Sequence, residues 1–349
     1  MKLEITLRKP DDWHLHLRDG AALAAVLPHT AERFARAVVM PNLKPPVTTT
    51  AQARAYRERI LAALPAGLQF EPLMTLYLTD ATDPAEIERA RASGIIIGCK
   101  LYPAGATTHS EAGVTDVRRI DAVLARMAEQ RLVLQVHGEV TGDDVDVFDR
   151  ETRFIDEVLA PLMQRHPTLR VVFEHITTRA AVQFVRSGGS RLAATITPQH
   201  LLYNRNAIFH GGIRPHYYCL PILKTETDRR ALIEAATGGE PQFFLGTDSA
   251  PHARDTKENS CGCAGMYSAH AGIELYAEAF EQAGALERLQ GFAAEFGADF
   301  YGLPRNHDSI TLRRVSWQPP AQYPYGAGAL VPMRAGEAIA WTLVRGAAA

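Results

Sequence analysis

The stretches RLVLQVHGE at residues 131–139 and LRVVFEHITT at 169–178 follow one plan: a short, almost unbroken apolar run that delivers a histidine at its end. A run of that length, rich in β-branched residues and bounded by polar ones, reads as a strand buried on both faces, the kind found in parallel sheets. Working outward, the same signature recurs at 12–17, 37–40, 73–78, 95–101, 192–196 and 243–246, which with 132–136 and 169–173 makes eight strand candidates. Helical patterns over 49–63, 84–93, 116–130, 151–164, 178–187 and 224–236 lie between most of them, several opened by Asp, Thr or Pro as caps. Regular alternation of buried strand and helix predicts an α/β fold, and eight such units fit a closed (β/α)8 TIM barrel better than an open sheet. Residues 1–292 are expected to form the barrel. Residues 293–349, which include DSITLRRVSWQPP and AGEAIAWTLVRG, are expected to be a short C-terminal extension packed on the barrel in the same domain.

Composition narrows the function. The 349 residues are 46% hydrophobic and 22% charged, enough apolar material for a large core. With 37 Lys and Arg against 39 Asp and Glu the formal charge is -2, so no global field recruits nucleic acid or an anionic membrane. Chemistry must therefore reside in a local site that takes a small molecule. Four cysteines, Cys99, Cys219, Cys261 and Cys263, are too few for a disulfide scaffold in so long a chain. The opening MKLEITLRKPDDW has no apolar region of signal-peptide length, and no run of about 18 apolar residues follows. A soluble, cytoplasmic protein is the expectation.

The first strand candidate ends in Trp13-His14-Leu15-His16, and period-two alternation turns His14 and His16 to the same face. Alone, that pair is a weak metal signal. Lys100 follows IIIGC, His137 follows LVLQV, His175 follows VVFE and Asp248 follows FFLGT, so each sits at the C-terminal end of a strand, where barrel enzymes keep their active sites. Taken singly, His137 and His175 could be satisfied core histidines, Asp248 a turn cap and Lys100 a solvated tip. Their joint placement is what those readings do not explain. Four imidazoles and one carboxylate exceed the three protein ligands of a single catalytic zinc, whereas two metals could share them. Two dications call for a bridging anion. A protonated Lys100 has no lone pair to offer, but its neutral amine can add carbon dioxide to give a carbamate. One lysine alone does not establish that.

Taken together, these motifs resemble the amidohydrolase superfamily and, in detail, its dihydroorotase family of homodimeric bacterial type. The resemblance rests on PDDWHLHLRDG at 10–20, MPNL at 40–43, GCKLYPAGATT at 98–108, VHGE at 136–139, FEHITT at 173–178 and GTDSAPH at 246–252. It extends to TPQHLLYNRN at 197–206 and ENSCGCAG at 258–265, and thins only in the C-terminal extension. It implies that His14, His16 and Asp248 bind one zinc, that His137 and His175 bind a second, and that Lys100, carboxylated on its side-chain nitrogen, bridges the two. It further implies a hydroxide shared by the metals as nucleophile, with Asp248 as general base and acid. The implied reaction is the reversible closure of N-carbamoyl-L-aspartate to L-dihydroorotate with loss of water, a step of de novo pyrimidine biosynthesis, in a homodimer.

By the same resemblance Arg18, Asn42 and His252 clamp the substrate carboxylate, a task suited to a planar guanidinium. The main chain at Leu220 and Ala264 contacts the ring edge, and His137 faces the substrate as well as a metal. Thr107 and Thr108, in the long loop 102–114 after Lys100, form a lid over the site. Without the resemblance, Arg18 reads as a surface ion-pair partner, Asn42 as a turn residue and His252 as a loop residue. Cys261 and Cys263 have no second Cys or His pair nearby at finger spacing and read as free loop thiols; Cys99 and Cys219 read as packing residues. His200, His210 and His216, in the second long loop 197–221, take no role. Two other readings compete: a hydantoinase or allantoinase type of cyclic-amide hydrolase, which need not share the clamp, and a non-catalytic scaffold barrel, in which loss of metal ligands is expected.

Overall fold

The computed structural model describes residues 3–260 and 262–345. Strands are numbered in chain order: β1 Glu4–Arg8, β2 Asp11–Leu15, β3 Arg36–Val39, β4 Glu71–Tyr77, β5 Ile96–Leu101, β6 Val133–Val136, β7 Val171–Phe173, β8 Leu192–Ile196, β9 Phe243–Leu245, β10 Ser309–Arg313, β11 Tyr323–Tyr325, β12 Gly328–Leu330 and β13 Thr342–Leu343. Strands β2 to β9 form one parallel sheet in sequential order. The barrel closes just beyond the strand ends, where Asp248 N donates to His14 O (2.9 Å) and His16 N donates to Ser249 O (3.1 Å). All eight predicted strands are present, as a TIM barrel requires.

Side chains divide by strand parity into two apolar layers. Val38, Leu73, Val133, Val172, Ala193 and Phe244 point into the barrel, whose floor is filled by Trp13 stacked on Tyr301 (ring centroids 4.7 Å apart, planes 7° apart). Val39, Met74, Leu101, Val136, Phe173, Ile196 and Leu245 point outward against the helices. Five of the six predicted helices recur as Thr50–Ala62, Pro84–Ser93, Arg179–Ser187, Glu226–Thr237 and, after a 3-10 turn over Val117–Ile120, Asp121–Gln130. The sixth is broken into Arg150–Phe154, a π turn over Ile155–Leu159, and Ala160–Arg165.

Three features escaped the sequence reading. The helix Gly20–Arg33 carries Pro28 in its interior, which masks its period. The helix Gly272–Gln282 is buried at every position from Gly272 to Phe280, its polar face included, because Arg33 covers Glu274 and Arg334 covers Glu278. Strand β1 pairs antiparallel with β10, Ile5 opposite Leu312, and β13 extends that small sheet; no local signal reports a partner some 300 residues away. The β11–β12 hairpin reaches back to the barrel mouth, where Tyr325 Oη donates to Pro251 O (3.3 Å).

Candidate active site

Six side chains converge at the C-terminal mouth of the barrel. His14 and His16 come from the end of β2, Lys100 from β5, and His137, His175 and Asp248 from the turns after β6, β7 and β9. Arg18, His175 and Asp248 adopt left-handed backbone (φ 60°, 42° and 45°), a conformation that costs a non-glycine residue roughly 1–2 kcal/mol. Such outliers cluster where function dictates the backbone. His14 Nε2 and His16 Nε2 lie 3.4 and 3.1 Å from Asp248 Oδ1, and one ligand atom from each of the three falls within 4.8 Å of the others. The imidazole of His175 links this trio to His137, with ring centroids 4.8 Å from His14 and 4.9 Å from His137.

A second set of residues sets the tautomers. His14 Nδ1 bonds Glu174 Oε2 (2.9 Å), His16 Nδ1 bonds Asn42 Oδ1 (2.9 Å) and His137 Nε2 bonds Glu139 Oε2 (2.7 Å). Each bond places the ring proton on the outer nitrogen and leaves the inner lone pair free for a cation. Burial holds His14 and His175 well below the usual imidazole range and lowers His16, so all three are neutral donors at pH 7. Burial also pushes the Glu174 carboxyl up to about 7 and brings the Lys100 ammonium down to about 8.

The site has unspent polar capacity. His14 Nε2, Lys100 Nζ, Glu174 Oε1 and His175 Nδ1 are buried without a hydrogen-bond partner among the described residues. Orphaned donors and acceptors gathered at one point mark a place for something else. Neutral imidazole nitrogens, carboxylates and a lysine convertible to a carbamate form a donor set suited to divalent metal. Lys100 Nζ lies 5.1 Å from the Tyr102 ring centroid, beneath the cavity rather than in its wall.

Arg18, Asn42, Thr107, Thr108, Leu220 and Ala264 line the same cavity as His14, His16, His137, His175 and Asp248. His252 adjoins it at Arg18, whose Nη2 lies 3.0 Å from His252 Nε2 while its Nε donates to Pro251 O (3.1 Å). The loop holding Thr107 and Thr108 lies inward. Asn42 Nδ2 donates to Thr108 O (3.1 Å) and Thr108 Oγ1 to Ala264 O (3.4 Å), leaving a free volume of about 20 Å³. That is room for about one water.

Glu174, Glu139 and Asp12 are the positioning residues that sequence reasoning missed. Asp12, fully buried, accepts from Thr247 N (2.8 Å), Thr247 Oγ1 (2.6 Å) and His14 N (3.2 Å), and so ties β2 to the turn that carries Asp248. Their signal was a carboxylate one or two places from a proposed ligand, in DWH, HGE and FEH. His200 is a strut: its Nε2 donates to Pro221 O (3.0 Å) and its Nδ1 accepts from Thr197 Oγ1 (2.7 Å). His216 pairs with Glu258 (2.9 Å), and His210 is exposed. Cys99 and Cys219 are buried, with thiols pushed up to about 12 by burial, hence inert; Cys263 is free, and Cys261 lies outside the described residues.

The amidohydrolase family profile matches residues 12–312. A curated dihydroorotase from Alkalilimnicola ehrlichii is 67% identical over 97% of this chain and 99% of its own length. The crystal structure of dihydroorotase from Campylobacter jejuni superposes with a TM-score of 0.90 at 35% identity, covering 99% of this chain and 98% of that one. The Saccharomyces cerevisiae dihydroorotase in complex with 5-fluoroorotic acid gives 0.90 at 32% identity, covering 98% of each chain.

Proposed function

We propose that this chain, which belongs to the amidohydrolase family, is a dihydroorotase that interconverts N-carbamoyl-L-aspartate and L-dihydroorotate. The observation that carries the reading is one cavity that brings Arg18 and Asn42 alongside His14, His16, His137, His175 and Asp248, with Lys100 unpartnered beneath. His14, His16 and Asp248 would hold one zinc ion, and His137 and His175 a second. Lys100 would bridge them: its neutral amine forms a bond to carbon dioxide and loses one proton, which leaves an anionic carbamate. Two such ions supply Lewis-acid polarisation of a carbonyl and acidify a water.

The chain's own residues do the rest. Asp248 would take the proton from the attacking water as the new C–O bond forms at the ring amide, and return it to the leaving nitrogen as the C–N bond breaks. Arg18, Asn42 and His252 would clamp the substrate carboxylate, with His252 and Pro251 O also bonding the guanidinium and Asn42 keeping His16 in its tautomer. His137 would contact the substrate beside its metal. Thr107 and Thr108 would close over the ring and exclude water, and the main chain at Leu220 and Ala264 would touch its edge. A cytoplasmic homodimer, with residues 293–349 completing a single domain, is the assembly we propose. No helix among the described residues is long and apolar enough to cross a membrane.

The test is spectrophotometric turnover of L-dihydroorotate by zinc-loaded protein, alongside hydantoin and allantoin, with Lys100→Ala as the control. Turnover of dihydroorotate that disappears in the variant is expected. Turnover of hydantoin or allantoin alone would overturn the substrate assignment, and two bound metals with no turnover of any of the three would point to a scaffold.

A further inference from the structure

One wall of the cavity comes from two separate loops, Leu220 on one and Ala264–Gly265 on the other. Between them lies Lys257, the last residue of the short helix Arg254–Lys257 and only 4% exposed. Its ammonium donates to Tyr218 O (3.1 Å), Cys263 O (2.8 Å) and Gly265 O (2.6 Å). Three N–H donors meet three carbonyls, so the group is saturated. Tyr218 O also accepts from Gly265 N (3.0 Å), which closes the two loops onto each other at the same point.

This arrangement is costly for a packing residue. The partners of Lys257 are neutral carbonyls rather than a carboxylate, and burial brings its ammonium down to about 8. An apolar side chain would fill the space without that penalty, but it would leave three carbonyls of the two loops behind the cavity without their charged donor. Gly265 shows how tightly the wall is set. A Cβ there would meet Ala250 Cβ at 2.8 Å and His252 Cδ2 at 2.9 Å, so the segment lies flush on the turn that carries His252.

We infer that Lys257 is a positioning residue for substrate affinity: acting through Tyr218, Cys263 and Gly265 carbonyls, it holds the main chain of Leu220 and Ala264 at the spacing the ring requires. It is absent from the cavity lining, and its three donors are spent on carbonyls. The inference rests on the proposed role of Leu220 and Ala264 as ring contacts, and its failure is separable from failure of that reading.

The experiment compares wild type with Lys257→Met and with Lys257→Gln, which keeps two donors on a shorter stem. Each is measured for zinc content, melting temperature, steady-state kinetics with L-dihydroorotate, and the Kd of 5-fluoroorotate. For folded Lys257→Met, KM and Kd are expected to rise about tenfold or more while kcat stays within about threefold and zinc content is unchanged, the signature of lost uniform binding. Lys257→Gln should fall between. An unchanged KM, or a fall in kcat that tracks loss of zinc, would overturn the inference. Failure of both variants to fold would assign Lys257 to general stability and overturn it equally. An inactive wild type would sink the proposed function, and this inference with it; an active wild type beside an unchanged variant sinks this inference alone.

Discussion

Replacing Glu174 by Gln keeps the shape of the side chain and removes its charge. Glu174 Oε2 accepts from His14 Nδ1 (2.9 Å) and from Thr195 Oγ1 (2.6 Å), and Thr195 Oγ1 accepts from His175 N (2.7 Å). One carboxylate therefore sets two proposed ligands, one on each side of the metal pair. A carboxamide can still turn its oxygen toward His14, but that bond is no longer charge-assisted and is roughly half as strong. Its NH2 then occupies the position of Oε1, which is buried and unpartnered, at a cost of about 1–3 kcal/mol for a stranded donor. The opposite flip would set NH2 against the His14 ring N–H and drive His14 into the wrong tautomer. Outer partners of metal-ligating histidines typically carry about 10–100-fold in metal affinity. With both orientations penalised, the upper end applies, about 100-fold or about 2.7 kcal/mol. The assay is zinc titration of chelator-stripped protein against a competing indicator, with turnover recorded at saturating zinc. Much of the turnover should return once zinc is in excess. Zinc affinity within about twofold of wild type would refute the claim that Glu174 sets the donor geometry.

Three further outcomes are expected. Arg18→Met should raise KM for dihydroorotate about 100-fold with unchanged zinc content, since a buried charge-assisted pair is lost; unchanged KM in steady-state kinetics would remove Arg18 from the clamp. Asp12→Ala should strand the buried donors Thr247 N, Thr247 Oγ1 and His14 N, lowering stability by about 3 kcal/mol in denaturant titrations and lowering kcat with it; wild-type stability would show that water replaces the carboxylate. Burial lowers His200 to about 4, so the folded state refuses a proton that the unfolded chain accepts below about 6.5, and stability falls as pH drops through that window. By pH 5 the loss attributable to His200 is about 2 kcal/mol, and metal-free His200→Gln should lose that much less than wild type between pH 7 and pH 5. Equal losses would place the acid sensitivity elsewhere.

The barrel was legible because its strands are buried on both faces. A run such as VVF at 171–173 has no polar alternation to blur it, and the loops that follow carry polar chemistry, so each boundary is marked twice. What stayed hidden was structure whose cause lies elsewhere in the chain. EITLR at 4–8 is a strand because SITLR at 309–313 lies beside it, and neither segment names the other. The helix Gly272–Gln282 has a polar face, Glu274, Glu278 and Glu281, but Arg33 and Arg334 from other parts of the chain cover its first two members and bury it.

The site divides along the same line. Ligand positions are legible because the chemistry dictates residue type and the fold dictates place: an imidazole, lysine or carboxylate at a strand's C-terminal end is conspicuous against apolar neighbours. The residues that make those ligands usable are ambiguous in sequence. Glu139 and Glu174 stand apart from the chain's surface carboxylates only in being buried against an imidazole nitrogen. Lys257 sits in RDTKENS, a polar stretch that reads as solvated surface, yet its ammonium is enclosed by three carbonyls. A buried charge in a polar sequence context is thus the feature that only three-dimensional structure exposes. Because it is expensive to keep, it is also where a substitution should separate substrate affinity from turnover most cleanly.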